Sequence, residues 1–113
     1  MKQARLRHVG IVVKDLLLMI NYYQKLGFKL IYSDGLEKTH QEYWGNKFIE
    51  IAKLQDSNGG IIELIAKSWF PHISLTVDEL PDHGIGPWKR DDKIEVVYAQ
   101  DPEGNWIEFV KEL

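Results

Sequence analysis

His8-Val9-Gly10-Ile11-Val12-Val13-Lys14-Asp15-Leu16 returns 64 positions later as His72-Ile73-Ser74-Leu75-Thr76-Val77-Asp78-Glu79-Leu80. The histidine, the aliphatic and β-branched run and the acidic stop recur in the same order. A second stretch repeats at a different spacing. Ile49-Glu50-Ile51-Ala52-Lys53-Leu54-Gln55-Asp56 lies on Ile94-Glu95-Val96-Val97-Tyr98-Ala99-Gln100-Asp101, 45 positions on. The match continues, with Ser57-Asn58-Gly59-Gly60-Ile61-Ile62-Glu63-Leu64-Ile65 falling on Pro102-Glu103-Gly104-Asn105-Trp106-Ile107-Glu108-Phe109-Val110. Self-similarity of this kind is the signature of a duplicated structural unit, and it outranks any local reading of single elements.

The two spacings differ by 19 residues, so a segment of the first copy is missing from the second, between Leu80 and Ile94. In the longer copy Asp15 is a fitting helix N-cap, and Leu16, Met19, Ile20, Tyr23 and Leu26 recur at helical intervals. Gly27 stands where a helix ends in a left-handed residue. A strand is expected over 28–33, then a polar loop over 35–47. In the shorter copy Pro81, Gly84, Gly86 and Pro87 crowd the connection with breakers, leaving room for one helical turn at most and a stub strand near 86–90. The Asp-Ser-Asn-Gly-Gly and Asp-Pro-Glu-Gly-Asn stretches are hairpin chemistry joining the last two strands of each copy. The first copy therefore reads as strand, helix, strand, strand, strand, and the second as the same unit without its helix. We expect one α+β domain over 1–113, with module one spanning 5–67, module two 71–113, and only a tight connection over 66–71.

A chain of 113 residues can bury a core without covalent staples. It contains no cysteine, which excludes disulfides, thiolate metal sites and cysteine nucleophiles, so any metal must be held by nitrogen and oxygen. A net charge of −3 argues against nucleic acid or an anionic membrane as principal partner, because both demand a basic face. No apolar run approaches the roughly 20 residues of a membrane span, and no secretory apolar core stands at the N-terminus. The expectation is a soluble cytoplasmic protein with a small-molecule partner.

Side chains on a strand alternate faces, so Glu63 shares a surface with Ile61 and Ile65, and Glu108 with Trp106 and Val110. A carboxylate between apolar neighbours costs several kcal/mol if it is left ionised and uncompensated. Lys67 or Lys111 could supply a simple ion pair. The duplication suggests more, since His8 and His72 head equivalent strands and Glu63 and Glu108 occupy equivalent positions. Two histidines and two glutamates make a donor set suited to a divalent Zn, Ni, Co, Mn or Fe ion. His40 and His83 have no counterpart in the repeat and read as surface or cavity-rim residues.

With its paired strand-helix-strand-strand-strand modules, paired histidines and paired glutamates, the chain resembles the vicinal oxygen chelate superfamily, which includes glyoxalase I, bleomycin-resistance proteins and extradiol dioxygenases. The likeness is carried by His8 to Asp15, by Tyr22-Tyr23-Gln24-Lys25-Leu26-Gly27-Phe28, and by Asp101-Pro102-Glu103-Gly104-Asn105-Trp106-Ile107-Glu108. It implies two βαβββ modules forming a curved mixed sheet, a cup around a divalent metal. It also implies that the metal ligands are His8, Glu63, His72 and Glu108, the pattern of glyoxalase I. The activity implied is that of an isomerase or lyase, with Glu63 or Glu108 moving a proton beside a carbonyl. A metal-free binding protein of the bleomycin-resistance kind is the alternative, its ligand walled by Trp44, Trp69, Trp88 and Trp106; a metal-dependent dioxygenase or thiol transferase is a further one. In this superfamily a helix covers the outer sheet face of each module. Its loss from the second, with Leu17 and Leu18 off the helical stripe, leads us to expect a homodimer.

Overall fold

The computed structural model of the chain describes residues 3–34, 50–66 and 70–113. The expected loop over 35–47, with His40 and Trp44, and residues 67–69 of the 66–71 connection, with Lys67 and Trp69, lie outside the described residues. The chain forms two compact units, Val9–Pro71 and Met1–His8 with His72–Leu113. Strand β1 (Arg5–Val13) contributes its first residues to one and its last to the other.

In the first unit, β1 leads into helix α1 (Leu16–Lys25), followed by β2 (Lys29–Asp34), β3 (Glu50–Gln55) and β4 (Ile61–Ala66). The sheet runs β2-β3-β4-β1, with β1 parallel to β4 and the other neighbours antiparallel. Asp15 caps the helix as expected, its Oδ1 accepting from the Leu18 amide at 3.0 Å. At the other end the Phe28 amide donates to the Tyr23 carbonyl at 3.1 Å and the Gly27 amide to the Gln24 carbonyl at 3.0 Å, a Schellman closure with Gly27 at φ +100°. Leu16, Met19, Ile20 and Tyr23 pack on Val13, Ala52, Leu54, Leu64 and Ala66. Leu26 departs from the expected stripe and is exposed. It caps the helix where the chain turns, and Phe28 takes the core position instead, its ring edge-on to Tyr23 at 5.6 Å.

The second unit contains β5 (His72–Thr76), β6 (Ile85–Arg90), β7 (Ile94–Gln100) and β8 (Trp106–Glu112). Its sheet runs β6-β7-β8-β5, again with the first strand of the copy parallel to the last. There is no helix among its described residues. The stub expected near 86–90 is a full six-residue strand, with a register shift between Ile85 and Trp88. A short crossover leaves less chain to place, and the residues after Leu80 go straight into an edge strand.

The two sheets repeat residue for residue. Gly10 pairs with Glu63 and Lys53 with Glu63 in the first, where Ser74 pairs with Glu108 and Tyr98 with Glu108 in the second. The spacings of 64 and 45 read from the sequence convert one ladder into the other. The hairpin tips repeat to the hydrogen bond. Asp56 Oδ1 accepts from the amides of Asn58 and Gly60 at 2.9 and 2.8 Å, and Asp101 Oδ1 from those of Glu103 and Asn105, both at 2.9 Å. Gly59 and Gly104 carry φ of +92° and +89°, a backbone conformation that other residues adopt only at a cost. The structure is α+β, one helix with eight mixed strands among the described residues, and no described helix is long and apolar enough to cross a membrane.

Candidate metal centre

Alternation along β8 turns Glu108 and Val110 to the buried face, and both are almost wholly enclosed. β5 does the same for His72, Ser74 and Thr76. The start of β1 belongs to this unit and brings His8, whose Nε2 lies 3.3 Å from His72 Nε2 and 3.5 Å from Glu108 Oε1. The two imidazoles meet edge to face, with ring centroids 5.4 Å apart. Three of the four expected ligands, His8, His72 and Glu108, thus converge within one unit. Glu63 is equally buried, on β4 of the other unit. Its carboxylate is 3.8 Å from Lys53 Nζ, so Lys53 on the neighbouring strand supplies an ion pair.

The donor chemistry fits a divalent cation. Two facing imidazole nitrogens repel through their lone pairs unless a proton or a cation lies between them. Ligand atoms that share one ion, each about 2.0–2.2 Å from it, sit roughly 3 to 3.5 Å from one another, and the separations of His8 from His72 and from Glu108 fall in that range. A nitrogen and carboxylate set with no sulfur suits Zn, Ni, Co, Mn or Fe(II).

Sequence reading missed the side chains that hold Glu108. Ser74 Oγ donates to Oε1 at 2.7 Å, the Tyr98 hydroxyl donates to Oε2, and Arg90 Nη2 stands 3.7 Å from Oε2. Burial would raise the Glu108 pKa, but the charges of Arg90, His8 and His72 and the Tyr98 hydrogen bond outweigh it and hold the group down at about 2. The repeat contained the signal for two of these residues: Tyr98 occupies the position of Lys53, and Ser74 that of Gly10. Arg90 falls in the part of the second copy that has no aligned counterpart. Of the other residues considered, His83 is exposed beside Asp82, and Trp106 is half-buried. Trp88 packs on Tyr98 with ring centroids 5.6 Å apart, behind the glutamate cage.

No family sequence model and no functionally described protein matches the chain in sequence. Solved structures do. A glyoxalase I variant from Zea mays matches 96% of this chain with a TM-score of 0.61 at 18% identity. The chain shares the glyoxalase fold. It spans 43% of the length of that maize glyoxalase I chain, and at this identity the likeness is one of fold. A glyoxalase family protein from Bacillus cereus matches at 21% identity and a TM-score of 0.49, over 99% of this chain and 96% of its own. A second maize glyoxalase I variant matches at 20% identity and 0.44, over 96% of this chain and 44% of its own.

Proposed function

We propose that the protein is a divalent-metal-dependent isomerase or lyase of the glyoxalase I type, acting on a small carbonyl or vicinal-oxygen substrate. The observation that carries this reading is the buried His8, with its Nε2 3.3 Å from His72 Nε2 and 3.5 Å from Glu108 Oε1, separations that suit donors to a shared cation. His8, His72 and Glu108 would hold the metal, and Glu63, the repeat equivalent of Glu108, would join them. A metal held there would supply Lewis-acid polarisation of substrate oxygen.

The two glutamates have different work. Both oxygens of Glu108 are engaged by fixed neutral donors, Ser74 and Tyr98, so this carboxylate is held as an anionic anchor. Glu63 faces Lys53, whose side chain is 31% exposed and whose Nζ also stands over the Tyr32 ring. Glu63 is therefore assigned the proton transfer beside the carbonyl, with Lys53 stabilising its ionised form.

Metal analysis of protein refolded with each candidate ion tests the first part. Near-equimolar metal is expected in the wild type, with a fall of at least about tenfold in occupancy for His72→Ala, as loss of a ligand implies. Methylglyoxal with glutathione tests the second, with Glu63→Gln expected to lower turnover by about 100-fold or more. One observation favours a metal-free binding protein instead: Arg90, Ser74 and Tyr98 already compensate Glu108 from within the chain. Wild type that takes up no transition metal under any loading condition would overturn the metal-dependent reading in favour of the second, which binding of a planar aromatic ligand by the same protein would then support.

A further inference from the structure

In the first unit α1 lies on the sheet face formed by Val13, Leu64 and Ala66, with Leu16 at its start. The repeat maps these residues onto Val77, Phe109, Lys111 and Leu80. Those four residues, with Asp78 and Glu79 at the rim, line a groove of about 830 Å³ in the second unit. The groove is the seat of the helix that the second module lacks. Its floor is apolar, and its charged groups are two acids against one lysine.

The chain also carries a surface of the kind this seat would take. Beyond its buried stripe, α1 and its cap expose a second row, Leu18, Tyr22 and Leu26 at i, i+4 and i+8, with Leu17 beside it. These side chains are 62%, 54%, 59% and 67% exposed, a continuous apolar strip rather than scattered residues. The helix contains no acid, and Lys25 stands in its last turn. Apolar along this row, with Lys25 at its C-terminal end and Asp15 confined to the N-cap, it matches the apolar floor of the groove and can set Lys25 against the acids at the rim.

We propose that the chain forms a twofold homodimer in which the outer stripe of α1 from each protomer fills the vacant helix seat of its partner. Two different patches close within a dimer when the contact is made twice, once in each direction, about a twofold axis. The dimer restores to the second module the helix that the first retains. The proposal is independent of any catalytic reading.

The absence of cysteine allows a direct test on the full chain. Leu18→Cys and Leu80→Cys proteins are prepared separately, then mixed and oxidised. A disulfide-linked heterodimer is expected in the mixture, with much less cross-linking of either variant alone. Sedimentation velocity should give twice the 13.2 kDa chain mass for the wild type. Leu18→Glu should weaken the dimer by at least about tenfold, as expected for a charge placed in an interface core. Leu18 is exposed and only its backbone amide serves the helix cap, so far-UV circular dichroism of this variant should be unchanged. A wild type that stays monomeric at its highest soluble concentration overturns the proposal, including the case in which the groove instead captures an apolar dye. A dimer indifferent to Leu18→Glu, or cross-linking by Leu18→Cys alone and not in the mixture, overturns it as well.

Discussion

Glu108 is buried among Ser74, Tyr98, Arg90 and His8, and its hold on the proton is correspondingly weak. A carboxyl at about 2 in the folded chain, against an ordinary 4.5, adds stability that is fully present above pH 4.5 and is lost as pH falls towards 2. Urea midpoints of metal-free protein should therefore fall through that window, and Glu108→Gln should flatten the fall; equal slopes would count against the cage. Tyr98→Phe leaves a buried carboxylate oxygen short of a donor and should cost about 1–3 kcal/mol in the same measurement. Lys53→Met, at the equivalent position of the other copy, removes the ion pair of a buried carboxylate and should cost about 1–3 kcal/mol as well. The buried glutamates were legible because they break an apolar alternation. Their partners were not, since a tyrosine and a serine in apolar strands look like ordinary β residues until the register aligns them.

At the scale of the element, each hairpin and helix end is set by short-range chemistry. Asp15, Gly27 and the two Asp-led turns do locally what their residue types dictate, and these features were legible in the sequence for that reason. Leu26 was misplaced because helical periodicity alone does not register that the capping turn takes a residue out of the stripe. The edge strand β6 was underrated because glycine and proline mark it as a breaker region, whereas an edge strand tolerates both. Gly59→Ala and Gly104→Ala should each cost about 1–2 kcal/mol, the strain of a left-handed non-glycine residue. Near-equal losses are expected in urea unfolding because the two turns are bonded alike. Ile20→Ala, which empties the helix contact of the first unit, should cost about 2–5 kcal/mol.

Across the whole molecule, the duplication made the order of elements readable, because the two spacings fix which strands of the second copy correspond to which of the first, so that the parallel pairing of β1 with β4 recurs as that of β5 with β8. What it could not convey was the asymmetry that followed, with one glutamate caged by Ser74, Tyr98 and Arg90 and the other beside the partly exposed Lys53. If the centre binds metal, a saturating ion at about 100 times its dissociation constant adds about 2.7 kcal/mol. Differential scanning calorimetry should then show a rise in Tm of roughly 10 °C, abolished in His72→Ala; no rise with any candidate ion would count against the centre. The matched hairpin tips have a further use. Gln55 and Gln100 each reach across to the glycine carbonyl of their own turn, at 3.3 and 3.2 Å, so each tip is stabilised by bonds internal to six residues. The two hexapeptides are thus interchangeable cassettes, and the protein offers a pair of equivalent ports where a peptide tag or reporter could be grafted into either copy.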